Sequence, residues 1–175
     1  APGGGAKTSI HGVIAVDGAN LGILQALGSN PDAATLARSQ WLVRDGLADA
    51  ACVSLELAAQ PGRYLRHFGF RLQLAANDGS DVFRNDATFC PEAPLAGEGL
   101  SLRSKNYPGH LLRARGAELW IDPQATDTGY ASSASFSLRT VQAPATPLPS
   151  FSALPAAPVR STTYPAGYTK FTPAA

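Results

Sequence analysis

Residues 54–89 read SLELAAQPGRYLRHFGFRLQLAANDGSDVFRNDATF, and residues 101–136 read SLRSKNYPGHLLRARGAELWIDPQATDTGYASSASF. The two segments superpose without a gap at a constant offset of 47 residues. Identical or similar residues coincide at seven places: Pro61-Gly62 on Pro108-Gly109, Leu65-Arg66 on Leu112-Arg113, Gly69 on Gly116, Leu72 on Leu119, Leu74 on Ile121, Thr88 on Ser135 and Phe89 on Phe136. Self-similarity at a fixed period indicates two copies of one structural unit.

Each copy is predicted to form four short strands, in the first copy at about residues 53–57, 63–67, 70–74 and 86–91. Apolar and polar residues alternate within these segments, and Pro-Gly and Asn-Asp-Gly sequences between them are typical of turns. Neither copy contains a 3.6-residue apolar period over the length of a helix. The pattern predicts an all-β structure.

A third copy is predicted to be divided between the two ends of the chain. Gln40-Trp41 matches Thr88-Phe89 at an offset of 48, with Leu21–Leu24 as the strand before it, but the opening half of the unit is missing there. At the other end, Val159–Pro165 aligns on Leu102–Pro108 at an offset of 57. That register places three later residues on the second strand of the other copy: Tyr168 on Leu111, Thr169 on Leu112 and Lys170 on Arg113.

Three units of four short strands are the pattern of a β-trefoil, in which closure of the sheet removes exposed edges. We therefore predict an all-β, β-trefoil domain over residues 1–141, a Pro/Ala-rich strap over residues 142–158, and a C-terminal segment, residues 159–175, that completes the split repeat. The alternative for the strap is a disordered linker or tail. The tail is expected to dock as a strand beside the N-terminal segment, either on its own molecule or, by strand exchange, on a neighbour in a homo-oligomer.

Composition excludes several classes of partner. The chain has 175 residues, of which 45% are hydrophobic, and a net charge of +1 without a basic block, so neither nucleic acid nor an anionic membrane is expected to bind. No apolar run approaches the roughly 18 residues of a membrane helix, and nothing at the N-terminus is typical of a signal peptide. The opening residues 1–5 indicate a mature start or a linker.

The cysteines and histidines give no metal site. Cys52 and Cys90 are the two cysteines, no Cys-x-x-Cys is present, and His11, His67 and His110 are dispersed. Neither a zinc site nor any other metal or cofactor is therefore expected. Composition alone leaves open whether the cysteines form a disulfide or remain two buried thiols.

Catalytic patterns are weak. The acidic residues Asp78, Asp81, Asp86 and Glu92 are close in sequence, but the Asn-Asp-Gly-Ser-Asp stretch among them is mainly turn chemistry. It resembles a calcium loop without the spaced acidic ligands and the terminal Glu. Neither a Gly-x-Ser-x-Gly elbow nor a phosphate-binding loop is present. We expect no independent enzyme activity.

Several motifs are similar to those of a known family, the arabinofuranosidase B domain, which is carbohydrate-binding module family 42. The resemblance spans about residues 20–140 and rests on five segments: Cys52–Glu56, Pro61–His67, Asp86–Pro91, Asn106–Gly109 and Gln40–Ala48. The family implies a β-trefoil with up to three pockets, each recognising an arabinofuranosyl side chain of arabinoxylan or arabinan.

In each pocket of that family, a His after the Tyr-Leu-Arg strand and an Asp before Ala-Thr-Phe hold the sugar. The central repeat has both, as His67 and Asp86. The matching positions are Ala114 and Ser133 in the next repeat, and Phe171 and Arg38 in the split repeat. The resemblance therefore implies one competent pocket and two degenerate ones.

These residue types suit a furanose, whose hydroxyls both donate and accept hydrogen bonds. The Asp86 carboxylate is a strong acceptor, the His67 imidazole can donate or accept, and Tyr64 or Phe68 could cover the C–H face of the ring. The plainer alternatives are a surface histidine on a strand and a carboxylate that caps a turn. One pocket for one monosaccharide implies weak affinity, on the order of 0.1–1 mM.

The family positions of Cys52 and Cys90 imply a disulfide, which would stabilise the fold by roughly 3–4 kcal/mol and fits a secreted protein. Within the family the chain would be a non-catalytic module of a larger secreted arabinofuranosidase-type glycoside hydrolase. A different class remains open, because two pockets have lost their polar pair. The domain could instead be a structural or protein-interaction module of an extracellular assembly.

Overall fold

The computed structural model describes residues 12–27, 30–141 and 168–173, which form twelve strands and three short helices. The strands are β1 (Val13–Val16), β2 (Gly22–Gln25), β3 (Trp41–Asp45), β4 (Val53–Leu57), β5 (Arg63–Phe68), β6 (Arg71–Ala76), β7 (Phe89–Glu92), β8 (Ser101–Ser104), β9 (His110–Arg115), β10 (Glu118–Pro123), β11 (Phe136–Val141) and β12 (Tyr168–Pro173). The helices are α1 (Ala33–Ala37), α2 (Asp81–Asp86) and α3 (Thr128–Ser133). The all-β prediction is confirmed.

The two sequence repeats fold alike, as β4–β7 with α2 and as β8–β11 with α3. The same polar contacts recur at the offset of 47. The Ser54 hydroxyl donates to the Ala87 carbonyl at 2.7 Å, and the Ser101 hydroxyl donates to the Ala134 carbonyl at 2.8 Å. Both serines are buried, and each hydroxyl has a hydrogen-bond partner. Each bond therefore links the first strand of its unit to the segment just before the last strand of that unit.

The short helices were not predicted. Each begins after a side chain that caps the first turn: the Asp32 carboxylate accepts from the Thr35 amide at 2.8 Å, and the Ser80 hydroxyl accepts from the Phe83 amide at 3.0 Å. A helix of one or two turns is too short to show an apolar period. The strand predicted over residues 86–91 begins only at residue 89, after α2.

Three hairpins, β1–β2, β5–β6 and β9–β10, close on one another in a ring. Equivalent backbone hydrogen bonds of 2.7–2.8 Å link them in turn: Leu74 N to Asn20 O, Ile121 N to Phe70 O, and Leu24 N to Ala117 O. The three bonds occupy corresponding places in three units, so residues 12–27 contribute a hairpin equivalent to those of the two sequence repeats. This three-fold arrangement supports the β-trefoil interpretation.

The C-terminal strand takes the place of a first strand. β11 pairs with β12 as β7 pairs with β8, and Pro173 lies opposite Phe136 as Ser104 lies opposite Phe89. Thr169 also pairs with Trp41 of β3, just as Leu57 does from β4. In this protein β12 therefore closes the sheet between β3 and β11.

Two expectations about the split unit are wrong: the register of the C-terminal segment, and the absence of the opening half of the unit from the N-terminal side. β12 matches β8 at an offset of 69, so Tyr168–Lys170 do not correspond to the second strand, which β1 supplies from the N-terminal side. A six-residue strand has few distinguishing features, and its register is set by the strand it pairs with rather than by a short sequence match. The Val159–Pro165 alignment lies outside the described residues, as does the predicted strap.

One core joins the three units. Trp41, Phe89 and Phe136 begin the last strand of each unit and are fully buried. The Trp41 indole N–H donates to the Ile14 carbonyl at 2.8 Å, so this buried polar group is also satisfied. Aromatic side chains of this size contribute much of the hydrophobic stabilisation of a small domain.

Cys52 and Cys90 form the disulfide that the family resemblance implied. It joins the residue before β4 to β7, next to the pair of Val53 and Phe89 in the sheet. Within the described part of the chain, no helix is long and apolar enough to cross a membrane.

Candidate functional site

Strand β5 presents different side chains on its two faces. Because side chains alternate along a strand, Leu65 and His67 lie on one face, and Tyr64, Arg66 and Phe68 lie on the other. Leu65 is part of the core, whereas His67, two residues nearer the hairpin turn, is 4% exposed at the end of the strand. A buried imidazole at this place requires polar partners.

Helix α2 brings Asp86 to His67. The helix begins at the Ser80 cap and ends at Asp86, a residue that is 7% exposed. Asp86 Oδ1 lies 3.4 Å from His67 Nε2, and Asp86 Oδ2 accepts a hydrogen bond from the Arg66 guanidinium. The predicted pair of His67 and Asp86 is therefore brought together, with Arg66 compensating the carboxylate charge.

Asn106 completes this group from the next unit. It follows β8, and its Nδ2 donates to Asp86 Oδ1 at 2.8 Å while its Oδ1 accepts from His67 Nε2 at 2.8 Å. The Ser104 hydroxyl also donates to Asn106 Oδ1 at 3.2 Å. Since the amide oxygen only accepts, Nε2 carries the His67 proton. We call Arg66, His67, Asp86 and Asn106 the polar cluster.

Burial keeps the His67 imidazole neutral. Removal from water lowers the pKa of His67, and this effect outweighs the hydrogen bond to Asn106 and the charge of Asp86, which act in the opposite direction. A neutral imidazole has one donor and one acceptor nitrogen. With the proton on Nε2, Nδ1 is the acceptor.

An aromatic group lies beside the polar cluster. The Tyr107 ring meets the His67 ring edge-on, with 5.3 Å between the centroids, and the Phe70 ring lies nearly parallel to that of His110 at 5.1 Å. Phe70 and Tyr107 are perpendicular to each other at 5.1 Å. Both are partly open to solvent, at 39% and 42% exposed. We call Phe70, Tyr107 and His110 the aromatic patch.

Of the predicted wall residues, neither lies on the same face of β5 as His67. The Tyr64 ring packs edge-on against Phe83 at 6.5 Å, and the pKa of Tyr64 is raised mainly by burial. The Phe68 ring is 64% exposed and lies 5.3 Å from the Arg66 guanidinium. Tyr64 and Phe68 share this opposite face with Arg66, and their contact with a sugar stays a prediction.

The residues that sequence reasoning missed are Asn106, Phe70 and Tyr107. Asn106 and Tyr107 stand in the Asn-Tyr-Pro-Gly motif, which was assigned to the next unit and not to this site. The site crosses the boundary between two repeats, because β8 pairs with β7 of the preceding unit. The hairpin turn that carries Phe70 offered no signal beyond the glycine before it.

The corresponding place in the second sequence repeat keeps the scaffold without the polar pair. The Arg113 guanidinium lies 4.9 Å from the Tyr130 ring, as that of Arg66 lies 5.1 Å from the Phe83 ring. Arg113 Nε donates to the Ser133 hydroxyl at 3.1 Å, where Arg66 has the carboxylate of Asp86. Ala114 stands in the place of His67.

In that repeat the carboxylate comes from another strand. Asp122 of β10 accepts two hydrogen bonds from Arg115, at 2.6 and 2.8 Å. These bonds contribute most to the lowering of the pKa of Asp122. Arg113 adds a longer contact of 3.3 Å. Asp122 is thereby engaged by two arginines.

The third unit has an apolar residue in the place of His67. Leu24 corresponds to Leu74 through the ring of hairpin bonds, so the pairing of β1 with β2 puts Val16, and not Phe171, in the place of His67. Arg38 caps the end of α1. The expectation for Phe171 is wrong for the same reason as the tail register.

No group of three or more His, Cys, Asp or Glu side chains that could hold a metal occurs in the part of the chain that the structure describes.

A family model matches residues 13–138, which is most of the chain and includes the polar cluster. The chain belongs to the alpha-L-arabinofuranosidase B (ABFB) domain family. The match covers all three hairpins of the ring, β1–β2 included. It ends within β11, before the C-terminal strand.

The ABFB domain is similar to segments of fungal enzymes. It is 48% identical over 83 residues to a probable alpha-L-arabinofuranosidase B of Aspergillus terreus, covering 47% of this chain and 16% of the relative. It is 54% identical over 71 residues to alpha-L-arabinofuranosidase B of Aspergillus oryzae, covering 41% and 14%. An arabinofuranosidase/B-xylosidase of Trichoderma koningii is 43% identical over 97 residues, covering 55% and 19%. The matched segment is thus less than a fifth of each relative.

Solved structures of arabinofuranosidases are also similar to this chain. One is a crystal structure of an arabinofuranosidase complexed with arabinofuranosyl-alpha-1,2-xylobiose, with 32% identity, a TM-score of 0.66, and coverage of 73% of this chain and 30% of that one. Another is a GH54 a-L-arabinofuranosidase soaked with a cyclic sulfate inhibitor, with 35% identity, a TM-score of 0.65, and coverage of 71% and 27%.

Proposed function

We propose that this ABFB domain is a non-catalytic carbohydrate-binding module that recognises arabinofuranosyl side chains of arabinoxylan or arabinan through one main pocket. The observation that carries the proposal is the polar cluster, which joins a neutral imidazole, a carboxylate and an amide from two repeat units within 3.4 Å. The relatives named arabinofuranosidases, and the one complexed with an arabinofuranosyl xylobiose, support this choice of sugar.

The chemistry of the cluster matches a small polyol. Each Asp86 oxygen accepts one hydrogen bond within the protein and keeps further lone-pair capacity for sugar hydroxyls. His67 Nδ1 offers an acceptor, and the second N–H of the Asn106 amide offers a donor. Arg66 and Asn106 hold the carboxylate in place before a ligand arrives, which lowers the entropy cost of binding. A monosaccharide site of this size gives an affinity on the order of 0.1–1 mM.

The cluster is suited to binding rather than to hydrolysis. Glycoside hydrolysis uses two carboxyl groups about 5–10 Å apart, one as acid and the other as base or nucleophile. The polar cluster contains one carboxylate, Asp86, whose two oxygens accept hydrogen bonds from Arg66 and Asn106.

The wider assignment follows from the same family. We infer a β-trefoil with one competent site, closed by the C-terminal strand, that serves as a module of a larger secreted arabinofuranosidase-type enzyme. The disulfide fits an extracellular setting. The net charge of +1 supports neither nucleic acid nor a membrane as partner.

The test compares two variants at equivalent positions in two units. Asp86→Ala removes the carboxylate of the polar cluster, and Ser133→Ala changes the corresponding place in the second repeat. We expect the wild-type chain and Ser133→Ala to be retained on insoluble arabinoxylan and Asp86→Ala to be lost, with all three proteins folded by circular dichroism. Retention of Asp86→Ala, or no retention of the wild type, would favour a structural or protein-interaction module. The absence of the polar pair from two of the three units would fit that alternative.

A further inference from the structure

We propose that the aromatic patch is a second subsite, which binds the pyranose to which the arabinofuranosyl group is attached. The inference rests on the proposed function, since the patch is continuous with the polar cluster through the contact of Tyr107 with His67. It specifies that the domain recognises a branch point, a furanose together with its pyranose neighbour, and not the furanose alone.

The conformation of Phe70 is the first observation. Gly69 and Phe70 form the turn between β5 and β6 with φ values of +59° and +70°. Glycine is suited to this left-handed region, but an aromatic residue there is strained. The Phe70 ring does not fill the core, since this residue is 39% exposed. Strain and exposure together indicate a role other than folding.

Comparison of the three units is the second observation. The ring of hairpin bonds makes Asn20 and Ala117 the residues equivalent to Phe70. At the offset of 47, Gln60 is equivalent to Tyr107 and Arg63 to His110. None of these equivalent residues is aromatic, so the aromatic patch occurs where the polar cluster occurs.

The shape of the patch is the third observation. Phe70 and Tyr107 meet at 81°, so their rings form a corner, and His110 supports Phe70 from a nearly parallel position. Pyranose rings present C–H faces that pack on aromatic rings, while their hydroxyls remain in water. With a furanose held at the polar cluster, a directly attached sugar falls within reach of this corner.

Two substitutions remove the rings while copying residues from the other units. Phe70→Asn introduces the residue of the third unit, and Asn tolerates a positive φ, so the turn is retained. Tyr107→Gln introduces the residue that stands at the equivalent place in the first sequence repeat. Neither residue belongs to the polar cluster. Thermal unfolding checks that both variants fold.

The experiment is a calorimetric or NMR titration of the full chain with methyl α-L-arabinofuranoside, with xylobiose carrying one arabinofuranosyl group, and with xylobiose. We expect the wild type to bind the branched sugar roughly 3- to 10-fold more tightly than the methyl glycoside, as one aromatic contact would give. Phe70→Asn and Tyr107→Gln should remove this difference, so that each variant loses more affinity for the branched sugar than for the methyl glycoside.

Equal wild-type affinities for the two arabinofuranosides would overturn the second subsite and leave the proposed function intact. An equal loss for both ligands in Phe70→Asn would also overturn it, because Phe70 would then line the furanose pocket itself. No binding of either arabinofuranoside by the wild type would overturn the proposed function together with this inference.

Discussion

Asn106 Oδ1 accepts a hydrogen bond from His67 Nε2 at 2.8 Å, although the two residues lie 39 positions apart and in different repeat units. The contact is possible because β8 pairs with β7, so the turn after β8 lies over the end of the preceding unit. The backbone amide of Lys105 fixes this turn by donating to the Thr88 carbonyl at 3.1 Å. The proposed site is therefore a property of two neighbouring units and not of one repeat alone.

Replacing Asn106 by alanine should weaken both the fold and the site. It leaves the buried His67 donor without its acceptor and removes a donor from Asp86, so we expect a loss of about 1–3 kcal/mol in the free energy of unfolding. Binding of an arabinofuranoside should fall in parallel. Urea denaturation and calorimetric titration measure the two effects.

The control is Asn85→Ala, which removes a side-chain amide whose solvent-exposed hydrogen bond goes to the Asp81 carbonyl. A surface change of this kind is expected to cost less than about 0.5 kcal/mol. Equal losses in Asn85→Ala and Asn106→Ala would show that the Asn106 contacts contribute nothing specific.

The parts of the fold that the sequence predicted are those that repeat. The offset of 47 identified two units, and it placed Phe89 and Phe136 at equivalent positions that prove to be fully buried. The His67 and Asp86 pair was found because the family motif names both residues. Core positions and motif residues were predictable because each is constrained by its own local sequence.

The parts that were missed depend on contacts between distant segments. The one-turn helices leave no apolar period, and the C-terminal strand has a register that only its partner β11 determines. Tyr64 and Phe68 lie with Arg66 on the face of β5 opposite His67, and their part in sugar binding stays a prediction.

Stability should depend on pH through His67. Burial lowers its pKa, so below the ordinary histidine value of about 6.5 the unfolded chain takes up a proton that the folded chain does not. The stability contributed by neutral His67 is complete above that value and is lost as the pH falls from it toward the lower folded pKa. Arg66 and His110 also oppose protonation, while Asp86 favours it.

The measurement is the urea midpoint of the wild type and of His67→Gln at pH 7.5 and at pH 5. We expect the wild type to lose more stability on acidification than the variant, since glutamine does not titrate. The same loss in both proteins would mean that His67 does not carry the effect.

Removing the disulfide should destabilise the domain strongly. Cys52 and Cys90 are separated by 38 residues, and closing a loop of that length contributes roughly 3–4 kcal/mol in the chain-entropy model. We expect Cys52→Ala/Cys90→Ala to unfold at a correspondingly lower urea concentration. Dithiothreitol should lower the midpoint of the wild type and leave that of the double variant unchanged. A double variant as stable as the oxidised wild type would contradict the prediction.

Truncation at Val141 should expose two sheet edges. β12 occupies the position between β11 and β3, so its removal leaves both strands without a neighbour on that side. We expect the melting temperature to fall by on the order of 10 °C, as the loss of several kcal/mol would give in a domain of this size. The exposed edges should also promote self-association. Differential scanning calorimetry and light scattering measure these outcomes.

The matched control keeps β12 and replaces residues 142–167 by a Gly/Ser linker of the same length. If strand pairing alone closes the sheet, this variant melts with the wild type, whereas a stabilising strap would make it melt lower. Light scattering of the wild type distinguishes the two ways to dock the tail, because a strand on its own molecule gives a monomer and an exchanged strand gives a dimer. An unchanged melting temperature after truncation at Val141 would show that β12 does not complete the third unit.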